Sequence, residues 1–147
     1  MTQYAFYHLT RTGADEAVAP LLGRTLQAGA RAVVRLRDPA RIAALSQALW
    51  ASMDPLWLPH GHTGTGDADL QPIWLTTEED APNGGRYLFL LDGAEAVAPT
   101  AFERVFDLFD GQDEAAVAAA RGRWSGAKAA GLEVTYWRQG ERGWVKG

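Results

Sequence analysis

What most constrains the fold of this chain is the alternation of short β-type runs with helical stripes across its N-terminal third. Tyr4-Ala-Phe-Tyr-His-Leu9 is aromatic-rich and reads as a buried strand. Asp15 and Glu16 then precede Val18, Leu21, Leu22, Thr25 and Leu26, a helical stripe with an acidic first turn that stops at Gly29. Arg31-Ala-Val-Val-Arg-Leu-Arg37 is a second strand. Asp38-Pro39 supplies an N-cap followed by proline at the first helical position, opening a helix that carries Ile42, Leu45, Leu49 and Trp50. Helix-length crossovers between short strands predict parallel neighbours. The expected class is α/β: a single-domain, open, mainly parallel sheet flanked by helices, Rossmann-like in outline.

The remainder continues the pattern less regularly. Pro72 to Thr76 reads as a third strand, and Arg86 to Leu91 is a near-continuous apolar run suited to a central strand covered on both faces. A short helical turn is expected around Pro99 and Phe102. Val105 to Phe109 alternates, with Val105, Asp107 and Phe109 on one side and Phe106 and Leu108 on the other. Asp113 and Glu114 open an alanine-rich helix that runs from Ala115 to Ala130 and stops at Gly131. Leu132 to Trp137 is a final strand, and Arg138 to Gly147 is a polar tail. A chain of 147 residues fits one domain with a real core. The expected division is therefore residues 1–137 as one α/β domain and 138–147 as the tail.

Composition narrows the function classes. A net charge of -4 gives no global reason to bind nucleic acid, so any basic site must be local. With no cysteine, disulfides, thiolate nucleophiles and cysteine-ligated zinc are excluded. The start, Met-Thr-Gln-Tyr-Ala-Phe-Tyr, lacks the pattern of a signal peptide, and charged or helix-breaking residues interrupt every apolar run short of bilayer length. A cytoplasmic protein with no membrane contact is expected.

Catalytic and ligand-binding constellations are sparse. His60 and His62, followed by Asp67 and Asp69, offer nitrogen and oxygen donors in a glycine-rich loop, and Gly61-His-Thr-Gly-Thr-Gly66 has the look of a phosphate cradle. The alternative reading they support is a small α/β enzyme using the His60 to Asp69 loop for a nucleotide or a metal. Its context is wrong for a nucleotide. A dinucleotide fingerprint follows a strand and opens a helix, and a P-loop carries a lysine, whereas this loop leads to Pro72 and a strand and has no lysine. The first βα turn, Thr10 to Asp15, holds one glycine. No nucleophile elbow accompanies Ser46, Ser52 or Ser125. No catalytic residue, metal or cofactor is expected.

Two stretches instead point towards recognition. Ala48 to His60 gathers Trp50, Met53, Leu56, Trp57 and Leu58 around Pro55 and Pro59, just where the second helix must end. Indoles on a helix exit are either a satellite core beneath a loop or an anchor patch for another protein. From Arg121 onward the chain carries Arg121, Arg123, Lys128, Arg138, Arg142 and Lys146 against Glu133 and Glu141. On a helix, Arg121, Trp124 and Lys128 share one face. That face is either a solvated surface with the indole turned inward, or a site for a ligand that is acidic and apolar together.

Three ordered motifs resemble the chi subunit family of the bacterial DNA polymerase III holoenzyme, over Phe6-Tyr7 to about Trp137. They are Ala48-Leu-Trp50 with Leu56-Trp57-Leu58-Pro59-His60 and the Gly64-Thr-Gly66 loop; Phe102-Glu-Arg-Val-Phe-Asp-Leu; and Ala120-Arg-Gly-Arg-Trp124 with Ala130-Gly131. The resemblance implies a non-catalytic adaptor with a nucleotide-binding-like fold but no functional nucleotide site. It implies two partners, the psi subunit of the clamp loader and the acidic C-terminal tail of the single-stranded DNA-binding protein. A DNA-repair helicase would share the psi surface, with no direct nucleic-acid contact. The psi or helicase patch maps onto Trp50, Trp57, Leu58 and Pro59. The tail site maps onto Arg121, Trp124 and Lys128. Where the family often has basic residues this chain has Ser125 and Val117, and Arg123 is expected to compensate.

Overall fold

The computed structural model describes residues 2–51, 58–62, 65 and 67–147. In chain order they form β1 (Gln3–Leu9), α1 (Ala14–Gln27), β2 (Ala32–Arg35), α2 (Pro39–Trp50), β3 (Gly61–His62), β4 (Ile73–Thr76), β5 (Tyr87–Leu90), β6 (Arg104–Asp110), α3 (Glu114–Ala129), β7 (Glu133–Gly140) and β8 (Gly143–Lys146). Single 3-10 turns span Ala68–Leu70 and Pro99–Ala101. The strands make one sheet in the order β3-β4-β2-β5-β6-β1-β7-β8, parallel throughout except for the antiparallel β7–β8 pair. The open, mainly parallel α/β sheet read from the sequence is the fold.

Helix ends follow the local chemistry. The Asp38 carboxylate accepts from the Ala40 backbone N–H at 2.9 Å with Pro39 behind it, and Asp113 does the same for Ala115 at 2.9 Å. Gly29 and Gly131, at φ 77° and 79°, take the left-handed conformation that closes α1 and α3.

Helices cover both faces. On one, Val18 and Leu22 of α1 and Ile42, Leu45 and Leu49 of α2 pack on Val34, Leu75, Phe89 and Leu108. On the other, Ala120 and Ala127 of α3 pack with Phe6, Val33, Leu88, Leu90 and Val105. β5 and β6 lie between β1 and β2, so those two parallel strands are not neighbours. The reason is visible in the sequence: Leu88 to Leu91 is apolar on both sides, Val105 to Phe109 is apolar on both sides but for Asp107, and both runs are buried. Such strands need a helix layer on each face, which only the middle of the sheet provides.

Two further differences concern length. The two-residue strand β3 is too short to carry a period. Residues 138–147, expected as a polar tail, complete β7 and return as β8, with Trp144 edge-on to Tyr7 at 4.8 Å between ring centroids.

Candidate functional site

β1, β6, β7 and α3 enclose a groove of about 410 Å³ on the α3 face. Alternation along the strands sends Phe6 and His8 from β1, Phe109 from β6 and Tyr136 from β7 to its floor, and α3 adds Val117, Ala120, Arg121 and Trp124. Trp124 lies tilted on Phe6 at 5.5 Å and edge-on to Tyr136 at 6.1 Å. These contacts hold the indole as a half-buried wall. Lys128 stands one turn further along α3 with its ammonium 5.3 Å from the Trp124 ring. Among the described residues neither Arg121 nor Lys128 forms an ion pair with a carboxylate. An apolar floor is thus bordered by Arg121, with Lys128 beside its indole wall, and among the described residues neither cation has a carboxylate partner.

Arg123 is elsewhere. Its side chain turns inward, donating from Nε to Asp107 Oδ2 at 2.6 Å and from Nη2 to Oδ1 at 3.0 Å. The Tyr4 hydroxyl donates to the same carboxylate at 2.9 Å. Burial pushes the Asp107 carboxyl up, while the Arg123 guanidinium and the Tyr4 hydroxyl pull it down. Held on Asp107 through two of its five N–H donors and 9% exposed, the Arg123 side chain does not line the groove, which goes against the expectation that it compensates there for Ser125. The signal was present in the sequence: Asp107, within an apolar alternating strand, required a buried partner.

The tryptophan stretch divides. Trp57, with Met53 and Leu56, lies outside the described residues. Trp50 is 56% exposed at the end of α2, instead of sharing the inner stripe of Leu45 and Leu49, and its ring lies over His60 at 4.3 Å. His60 is buried. One ring nitrogen, Nε2, bonds the Ser46 hydroxyl at 2.9 Å, and Nδ1 donates to the Leu58 carbonyl at 2.7 Å. Burial lowers the His60 pKa, partly offset by the Leu58 carbonyl. Leu58 is 1% exposed and packs with the α1–α2 core, so its side chain cannot touch a partner, contrary to its expected place in a docking patch. Pro59 is half-buried beside it.

His60 to Asp69 supplies little of a ligand site. Thr63, Gly64 and Gly66 lie outside the described residues, and among the described residues no group of three or more histidine, aspartate or glutamate side chains converges for a metal.

A larger cleft opens over the carboxyl ends of the strands, where α/β sheets characteristically hold ligands. Some of its charges pair with one another: Arg41 bridges Asp15 at 2.7 Å and Asp92 at 2.8 Å, and buried Arg35 reaches Glu79 at 3.2 Å through Nη1, while its Nη2 has no hydrogen-bond partner among the described residues. Asp15 and Glu16 occupy the first turn of α1, where a phosphate-binding turn would present bare backbone N–H groups.

His8, Phe109 and Tyr136 were not anticipated as groove residues. The strand alternation that places Phe6, His8, Phe109 and Tyr136 on one face would have found them.

The fold is that of a Rossmann-like, open α/β protein, with a helix-and-sheet groove beside α3 as well as the strand-end cleft. The chain belongs to the DNA polymerase III chi subunit family, whose model matches residues 1–135 of the 147. That family is an accessory subunit of the replicative polymerase, which assigns the chain to DNA replication. Comparison with curated proteins gives no match. Among the described residues no helix is long and apolar enough to cross a membrane.

Proposed function

We propose that this protein is a non-catalytic adaptor linking the clamp loader, through the psi subunit, to the single-stranded DNA-binding protein by gripping that protein's acidic C-terminal tail. The observation carrying the proposal is the groove bordered by Arg121 and Lys128, with Trp124 as its wall. A phenylalanine side chain suits the floor of Phe6, Phe109 and Val117, and neighbouring carboxylates meet the two cations. Arg121, exposed on α3, is the principal anchor for those carboxylates.

The second contact, with psi or a DNA-repair helicase, is assigned to the end of α2. Trp50 offers an exposed indole held over His60, the kind of rigid aromatic surface that anchors protein interfaces. Trp57 and Pro59 belong to the same proposal through the family motif. Leu58 supports that patch only from beneath.

Calorimetric titration with a short aspartate-rich peptide ending in phenylalanine tests the tail site. Binding should weaken as salt rises and fall roughly tenfold in Arg121→Ala, with Trp50→Ala unaffected. No binding, or binding indifferent to Arg121 and salt, would refute the tail site. For the second surface, Trp50→Ala should reduce co-purification with psi while Arg121→Ala leaves it intact.

A further inference from the structure

One end of the groove is polar in a way the basic helix face does not explain. His8 and Tyr136 both line it, and His8 Nδ1 shares a hydrogen bond with the Tyr136 hydroxyl. The imidazole is firmly seated. It leans on Phe109 at 5.0 Å between centroids and stands edge-on to Tyr136 at 5.9 Å. Gly111 packs against its Cδ2–Nε2 edge so closely that a Cβ there would run into the ring. Arg138 is the register partner of His8 across β1 and β7, so it leaves the sheet on the face that carries His8 and Tyr136. Burial raises the pKa of the Tyr136 hydroxyl, against the lowering pull of Arg138 and Arg121. Both cations therefore act on the phenol.

We propose that His8, Tyr136 and Arg138 form a carboxylate-receiving end of this groove, and that its grip on an acidic peptide tightens when His8 takes up a proton. The proposal rests on reading the groove as an acidic-peptide site. With His8 neutral and Nδ1 unprotonated, the Tyr136 hydroxyl donates its only hydrogen to Nδ1 and turns its oxygen towards the groove. When solvent supplies a proton to Nδ1, the direction reverses: Nδ1–H donates to the phenol oxygen, and the phenol hydrogen becomes free for a peptide carboxylate. The groove gains one positive charge and one donor in the same step.

The neighbouring charges favour this outcome. From β7 the facing groups are Tyr136 and Arg138. From α3 they are Arg121 and Lys128, with Glu114 on the same helix face by periodicity. From β6 Phe109 is uncharged, and Asp107 is held by Arg123. The β8 ammonium of Lys146 sits over Trp137 at 5.8 Å, on the opposite face. Gly147, following β8, also lines the groove, its backbone N–H donating to the Tyr136 carbonyl at 2.9 Å. Of the charged side chains named on this face, Arg121, Lys128 and Arg138 are cations and Glu114 is the anion.

The test is fluorescence anisotropy with a fluorescein-labelled, aspartate-rich peptide ending in phenylalanine, at about pH 8 and about pH 6, a range in which histidine characteristically changes charge. Wild type should bind about fivefold tighter at the lower pH. His8→Gln should lose the gain, binding within about twofold equally at the two pH values, and Tyr136→Phe, which removes only the hydroxyl, should keep about half of it. Arg121→Ala should weaken binding at both pH values while leaving the gain in place, which separates this inference from the reading of the groove itself. Equal wild-type affinity at the two pH values, or an undiminished gain in both His8→Gln and Tyr136→Phe, overturns the proposal. Absence of any peptide binding overturns it together with the tail site.

Discussion

Replacing Arg123 with alanine should cost the protein about 3–5 kcal/mol of folding stability. The Asp107 side chain is 1% exposed and that of Arg123 9%, so the pair is largely shielded from solvent. Two donors of the guanidinium and the Tyr4 hydroxyl satisfy the carboxylate, and truncation leaves it buried with one donor. The loss should depend on pH. Burial already raises the Asp107 carboxyl, and without the guanidinium its folded pKa climbs further above the unfolded one. A raised carboxyl stabilises the folded state in acid, and that contribution is lost as pH rises through the folded pKa. The deficit of the variant should therefore be small in acid and largest at neutral pH and above. Urea melts followed by circular dichroism measure it. The combined variant Arg123→Met, Asp107→Leu, Tyr4→Phe removes every charge and dangling donor, and should lie within about 1–2 kcal/mol of wild type. It should also keep its peptide affinity. An Arg123→Ala protein within about 1 kcal/mol of wild type would refute the energetic reasoning, and loss of peptide binding in the folded triple variant would return Arg123 to the groove.

His60 gives a pH effect of the opposite sign. Its folded pKa is depressed by burial, so its contribution is present above the ordinary value of about 6.5 and lost as pH falls towards the folded one. Between about pH 7 and about pH 5 the melting temperature of wild type should fall more than that of His60→Gln; parallel profiles by scanning fluorimetry would count against it. Gly111→Ala should destabilise by about 1–3 kcal/mol, because the new methyl meets the His8 ring and approaches the Leu9 carbonyl to 2.6 Å. A neutral result in chemical denaturation would mean the His8 ring is not held as described.

The architecture was legible because its signals are local. Asp38-Pro39, Asp113 and the glycines at 29 and 131 mark helix ends by chemistry that needs only a few residues of context. Strand order was not legible, since it depends on which runs need cover on both faces, a comparison among distant segments. β3 and β8 were missed for different reasons. A two-residue strand has no period, and Gly143 to Lys146 pairs only because β7 runs on to Gly140 and offers an edge. Helical spacing put Arg121, Trp124 and Lys128 on one face of α3, where the structure has them, but spacing says nothing about where a flexible guanidinium goes. Arg123 is two residues from Arg121 and points into the core, drawn by a carboxylate on another element. Leu58 was similarly placed by its neighbours in the chain, while its burial is decided by the α1–α2 core.

The central claim is that the groove between α3 and the sheet takes an acidic, aromatic-ended peptide. The most direct measurement is a heteronuclear NMR titration of the labelled protein with an aspartate-rich peptide ending in phenylalanine. The account predicts that shift changes concentrate on the Trp124 indole N–H and the backbone amides of Arg121, Tyr136 and His8, and disappear in high salt. Changes centred on Trp50 and His60, or on the strand-end cleft around Arg35, would contradict it.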